Sequence, residues 1–262
     1  MKLSIIIPVY NSELILAKLH KKINNVVSEM NIENNFEIIF INDFSEDNSW
    51  DEIIKLSKKF EHIKGVNLTN NFGQHNAIMA GLGISTGEKI ITLDDDLQHS
   101  PSFFPQILEE LKNYDVCYTS YINRKHKLWK KILSYLNNLI SSFLLNKPLN
   151  IYMSSFRGLN RKIVNNILNF KRPDVYIDGL IINITKKIKM IDVEHYKREY
   201  GESNYTFKKL FILWSKMILN FSFFPFRVSS IFGIFLKIVI KLLIKKNRKP
   251  QFEIKELINV KL

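Results

Sequence analysis

Five stretches within the first 120 residues are nearly unbroken runs of β-branched and other apolar residues: LSIIIPVY, FEIIFIND, IKGVNLT, KIITLDD and YDVCYTS. A strand with one wet face alternates apolar and polar residues, whereas a run without alternation belongs to a strand covered on both faces. Between the runs, residues 12–30, 49–60, 74–85 and 102–112 carry helical spacing. Ser12 and Ser49 read as N-caps, and Gly87 reads as the close of the third helix. Strand–helix alternation of this kind predicts an α/β fold built on a mostly parallel, doubly wound sheet. Sheets so wound bind ligands outside the carboxyl ends of their strands. The polar clusters fall at those ends: Asn11 after the first run, Asp43 after the second, Asn71 and Gly73 after the third, and three aspartates after the fourth.

Past residue 120 the pattern changes. Residues 124–149 read as a long amphipathic helix, and residues 150–195 hold a strand-like IYMSSFRGL, two helices and the strand KMIDVEHY. A composition shift near residue 206 divides the chain into a domain over 1–205, amphipathic helices over 206–245 and a polar basic tail over 246–262. There is no internal repeat and no low-complexity linker.

Charge follows the same division. The net charge is +13, yet residues 197–262 hold 14 Lys/Arg against 4 Asp/Glu, while residues 1–196 hold 24 against 21. The basic segment is also very apolar (FKKLFILWSKMILNFSFFPFRVSSIFGIFLKIVIKLLIKK), a combination that suits an anionic lipid surface and excludes nucleic acid as the expected partner. Residues 228–244 are an apolar run of 17 broken by Lys237 and Lys241, which share a face with Lys245. As a helix this run is about 25 Å long against a hydrocarbon core of about 30 Å, so an interfacial helix is expected rather than a spanning one. A helix pair packed on the main domain, or one that forms a homo-oligomer, is the alternative. Cys117 is the one cysteine, which excludes an internal disulfide and fits a reducing compartment. The opening MKLSIIIPVYN holds an apolar run too short for a secretory signal.

In IITLDDDLQHSP (residues 90–101), Asp94, Asp95 and Asp96 stand side by side. Three adjacent carboxylates repel one another, and a strand aims them into the crevice. Asp94 and Asp96, at alternate positions, could share a divalent metal and so neutralise a diphosphate, with Gln98 as a further oxygen donor. The bland reading, acidic residues favouring a helix N-terminus, explains one carboxylate better than three.

The segments SIIIPVYN, EIIFINDFSED, NFGQHNAIMAGLGISTGEKIITLDDDLQHSP and KREYGESNYTFKKL resemble those of family 2 glycosyltransferases. More narrowly they resemble the branch that moves sugars onto polyprenyl phosphates. With SSFRGLNRKIV, PDVYIDGLI and NFSFFPFR added, the chain looks most like the undecaprenyl-phosphate 4-deoxy-4-formamido-L-arabinose transferases, from residue 3 to about residue 233. The resemblance implies a GT-A fold, a UDP-sugar donor, an undecaprenyl or other polyprenyl phosphate acceptor, Mg2+ or Mn2+, and work at the cytoplasmic face of the cell inner membrane.

It also implies roles for residues. Pro8, Tyr10, Asn11 and Glu13 would line the nucleotide pocket, and Asp43 would hydrogen-bond the uracil. Asn42 and Phe44 depart from the family's usual Asp and Gly. Asp94, Asp96 and Gln98 match the metal set, and Asp95 replaces a customary small residue as a solvated neighbour. Arg198, Gly201, Ser203 and Tyr205 form the R-x-x-G-x-S-x-Y segment. Its arginine would grip a phosphate in a two-bond fork, and Arg157 is a second candidate for that role. A phosphate acceptor is already ionised at neutral pH, so displacement needs no base and inverts the anomeric centre. Asp178 stands where related inverting enzymes keep a base; it could instead orient sugar or acceptor, or cap a helix. His75 and His99 read by default as partly exposed loop residues. The rival functions are extension of a saccharide on another acceptor and a non-catalytic membrane scaffold. A Rossmann oxidoreductase is disfavoured, because no Gly-x-Gly-x-x-Gly follows the first strand.

Overall fold

A computed structural model describes residues 1–122, 139, 141, 142, 145, 147–194 and 250–260. The helix expected over 124–149 lies mostly outside that range. The 198–205 segment and the helices expected over 206–245 lie wholly outside it.

The elements run β1 (Leu3–Val9), α1 (Glu13–Glu29), β2 (Phe36–Asn42), α2 (Ser49–Lys59), β3 (Ile63–Leu68), α3 (Gln74–Ile84) and β4 (Lys89–Thr92). A 3-10 turn (Pro101–Phe103) leads into α4 (Phe104–Glu110), then come β5 (Val116–Ile122), β6 (Arg157–Asn160), α5 (Arg161–Ile167), α6 (Ile177–Ile184), β7 (Ile188–Glu194) and β8 (Ile254–Ile258). All five apolar runs form strands. They belong to one eight-stranded sheet ordered β7-β5-β6-β4-β1-β2-β3-β8. β1 pairs parallel with β2 and β4, and β5 parallel with β7; β6 and β8 run antiparallel to their neighbours. This is the mostly parallel mixed sheet expected of a GT-A fold.

The alternation of side chains across the sheet makes two cores. Leu3, Ile5, Ile7 and Val9 face α1, α2 and α4 on one side. Ile6, Ile39, Ile41 and Ile90 face α3, α5 and α6 on the other. Both faces are dry, which is why the strands show no polar alternation.

Three local expectations give way. α2 starts at Ser49 with Asn48 before it, so Ser49 is not a cap; its hydroxyl accepts the Ser12 N–H at 2.8 Å. α3 ends at Ile84 with an extended Ser85, so Gly87 does not close it. A Cβ on Gly87 would sit 2.6 Å from the Ser4 backbone nitrogen, and close backbone approach is what requires the glycine. Residues 254–258 do not belong to a polar tail. They pair antiparallel with β3, cover its edge, and are fixed by Trp50 Nε1 donating to Glu256 and Asn259 Nδ2 donating to the Ser57 and Ile63 carbonyls. Mixed polar and apolar residues suit an edge strand with one exposed side.

Below the sheet, away from the site, two buried polar groups tune acid stability. Burial, then the charges of His62 and Lys59, lower His20 to about 4 from 6.5; its Nε2 lies 3.1 Å from His62 Nε2. Burial pushes Glu37 up, but bonds from Lys64, Ser4 and Thr86 outweigh it and bring the carboxyl down to about 2 from 4.5. The unfolded chain therefore binds more protons at both sites, and stability falls as pH falls. Urea midpoints against pH should drop first between about 6.5 and 4 through His20, then between about 4.5 and 2 through Glu37. Glu37→Gln should remove the lower step.

Candidate active site

β4 pairs with β1 only from Lys89 to Thr92, and the last partner on β1 is Ile6. Successive residues of a parallel strand direct their backbone groups to opposite neighbours. The Ile6 carbonyl accepts from Leu93 on the β4 side, and the Val9 carbonyl accepts from Asp43 on the β2 side. Pro8 thus turns toward β4 after β4 has ended, so its missing N–H leaves no ladder bond broken. Pro8 is itself buried in the strand, at the point where the crevice opens.

The aspartates occupy this opening. Asp94 accepts from Gln74 Nε2 at 2.7 Å and from the Ser155 hydroxyl, and its Oδ2 lies 4.0 Å from His99 Nδ1. Asp96 is buried, accepts the Gln98 N–H at 3.1 Å, and is followed by Leu97 at φ 57°. Asp95 is not a solvated neighbour. Its Oδ2 accepts the Tyr10 N–H at 3.1 Å and the Ser12 hydroxyl at 2.5 Å, which ties the loop after β4 to the loop after β1. Burial raises Asp94, with the charge of Asp96 adding to the rise; burial also raises Asp95, to about 6. His99 is buried against Phe156, with ring centroids 5.4 Å apart, and is not a loop-surface histidine.

The loops after β1 and β2 are laced together. The Asn11 N–H donates to Ser45 Oγ at 3.0 Å, and Asn11 Oδ1 accepts from the Glu46 N–H at 2.8 Å. The Glu13 N–H donates to Asp47, and Glu13 Oε2 accepts from the Asn48 N–H at 2.9 Å. Asn11 and Glu13 therefore shape the loops by bonding to them, while Tyr10 is 39% exposed. Asp43 accepts the Phe72 N–H at 2.7 Å and the Gly73 N–H at 2.8 Å, one on each oxygen, and so fixes the start of α3. Burial raises its carboxyl, and those two bonds oppose the rise. Gly73, at φ 85°, makes that turn without strain.

Arg157 and Asp178 meet on the far side of β4. Arg157 is 1% exposed and Asp178 7%; the guanidinium bonds Asp178 Oδ1, which also accepts from the Tyr118 hydroxyl at 2.8 Å. The Arg157 Nε is buried without a hydrogen-bond partner. Arg157 also lies close enough to Asp94 for its charge to pull that carboxyl down. Tyr118 carried no signal in the sequence, since one tyrosine in an apolar strand reads as core. Ser155 and Gln74 were equally silent, and their role as partners of Asp94 emerges only in three dimensions.

Among the described residues no group of three His, Cys, Asp or Glu side chains is arranged to hold a metal. Asp94, Asp96 and Gln98 supply hard oxygen donors and leave positions for water and phosphate oxygens, a donor set that suits Mg2+ or Mn2+. The repulsion between the two aspartates is what a cation would relieve. Among the described residues no helix is long and apolar enough to cross a membrane.

Residues 4–168 match the model of glycosyl transferase family 2. The chain belongs to that family and is a glycosyltransferase. It is 32% identical over 234 residues, 88% of this chain and 71% of the relative, to undecaprenyl-phosphate 4-deoxy-4-formamido-L-arabinose transferase of Klebsiella pneumoniae (strain 342). It is 33% identical, with the same coverage of both chains, to the transferase of that name from Photorhabdus laumondii subsp. laumondii. In fold it resembles glucosyl-3-phosphoglycerate synthase from Mycobacterium tuberculosis in complex with Mn2+, UDP and phosphoglyceric acid, with a TM-score of 0.59, 14% identity, and coverage of 83% of this chain and 76% of that one.

Removing one member of a buried ion pair strands its partner, at about 3–5 kcal/mol. Asp178→Ala should lower unfolding free energy by about that much in urea titrations, and a second change, Arg157→Leu, should restore most of it. A carboxylate needed for chemistry alone would leave stability untouched.

Proposed function

We propose that the chain moves one sugar from a UDP-sugar to undecaprenyl phosphate, or another polyprenyl phosphate, at the cytoplasmic face of the cell inner membrane, with inversion at the anomeric carbon. The observation that carries this reading is the pair Asp94 and Asp96 at the opening between β1 and β4, held by Gln74, Ser155 and the Gln98 N–H. The names of the two relatives, which specify undecaprenyl phosphate, support the acceptor. The fold neighbour that holds Mn2+ and UDP supports the donor and the metal.

Asp94, Asp96 and Gln98 would hold the metal, Mg2+ or Mn2+. When bound, it supplies positive charge against the diphosphate that leaves. The acceptor needs no deprotonation: an ionised phosphate oxygen forms the new bond to the anomeric carbon as the bond to the UDP oxygen breaks, and UDP carries away the electron pair. Asp178 is then better used in orientation than as a base. Its Oδ1 is committed to Arg157 and Tyr118, which leaves Oδ2 as the atom that could face a sugar hydroxyl. With Arg157 engaged by Asp178, the acceptor phosphate falls to Arg198, Ser203 and Tyr205. The lysine-rich apolar segment 206–245 would bring the domain to an anionic lipid surface.

The test is transfer of label from a panel of UDP-sugars into an organic-extractable product, with membranes and added undecaprenyl phosphate. Label should move from one donor, vanish with EDTA, and fall at least about a hundredfold in Asp96→Ala, in line with the loss of a main electrostatic contact to the developing charge. Metal-independent transfer, or label only in water-soluble product, would refute the reading.

A further inference from the structure

Phe44 breaks two rules at once. Its backbone is left-handed, at φ 62°, a region costly for a residue with a Cβ and free for glycine. Its ring gains no compensation from the core, because the residue is 50% exposed. Both neighbours are pinned, so the conformation is imposed: Asp43 is held by the Phe72 and Gly73 N–H groups, and Ser45 Oγ accepts the Asn11 N–H while the Ser45 N–H reaches Asn42 Oδ1 at 3.3 Å. A strained residue held in place this firmly points to use of its side chain.

Its position says what use. Phe44 lies two residues past β2, and its neighbours Ser45 and Asp43 bond respectively to the loop after β1, which carries the exposed Tyr10, and to the loop after β3. Asp43 beside it accepts one backbone N–H on each carboxylate oxygen, which holds the start of this loop in place. A flat ring presented beside it can bind a base through its π-face. We propose that Phe44 is a stacking platform for the nucleobase of the donor and sets nucleotide affinity; the identity of that base as uracil rests on the function proposed above.

The test is calorimetric titration of the full chain in detergent with UDP, GDP, ADP and pyrophosphate, each with Mn2+, for wild type, Phe44→Gly and Phe44→Tyr. Loss of one stacked ring should weaken the preferred nucleoside diphosphate about tenfold or more in Phe44→Gly, with pyrophosphate affinity unchanged. Phe44→Tyr should bind as wild type does, and the melting temperature of Phe44→Gly should not fall, since glycine is at ease at this φ. Preference for a nucleotide other than UDP, with the same loss in Phe44→Gly, would sink the uridine assignment and still support stacking. Equal nucleotide affinity in wild type and Phe44→Gly, or a parallel loss for pyrophosphate, would overturn the stacking role.

Discussion

β1 and β4 hydrogen-bond as far as Ile6 and Thr92 and then separate, and the whole carboxyl edge of the sheet is organised around that separation. A parallel sheet wound in two directions has to open where the winding reverses. The opening leaves backbone groups to satisfy and gives a place to aim side chains. Pro8 meets the first demand by having no N–H to leave unpaired on the open side. Asp95 meets it in another way, since one carboxylate oxygen accepts from both Tyr10 and Ser12 and keeps the two loops from drifting apart. The crowding of three aspartates thus has two causes. The outer pair is suited to a cation, and the middle one is a strut.

The sequence made the sheet legible because burial on both faces leaves no alternation to obscure the runs, and all five became strands. It made the crevice legible too, since ligand sites in such sheets follow from winding alone. What it hid was mostly long-range. Ser155 and Gln74 reach Asp94 across 61 and 20 residues, and no local pattern marks either one. β8 was missed because an edge strand with one wet side, far along the chain, looks like polar tail. Asp43 illustrates a subtler limit. Its place at the strand end was readable, but its two bonds to Phe72 and Gly73 depend on where the loop after β3 passes, which propensities do not specify.

Backbone strain gathers at the same edge. Asn11, Phe44 and Leu97 all have φ near 60° and lie in the loops that follow β1, β2 and β4. Asparagine tolerates this conformation; phenylalanine and leucine do so at about 1–2 kcal/mol each. Leu97 is buried, and its turn lets the Gln98 N–H reach the Asp96 carboxylate. The scaffold beneath supplies the stability that such turns spend.

The Arg157–Asp178 pair fits the same electrostatic economy. A buried ion pair is seldom worth more than the apolar residues that could replace it, so stability alone is a poor reason for its presence. Its place is informative. Arg157 lies opposite Thr92 on β6, at the foot of the aspartate loop, and its charge pulls the Asp94 carboxyl down against the burial and the Asp96 repulsion that push it up. Asp178 holds that guanidinium in place, and Tyr118 from β5 closes the set. The fixed positive centre behind Asp94 offsets part of that rise, and burial still leaves the carboxyl above its ordinary range. Because Asp178 already balances Arg157, the net positive field behind Asp94 is modest. The pair therefore sets beside Asp94 a counter-charge that is near, buried and itself half neutralised.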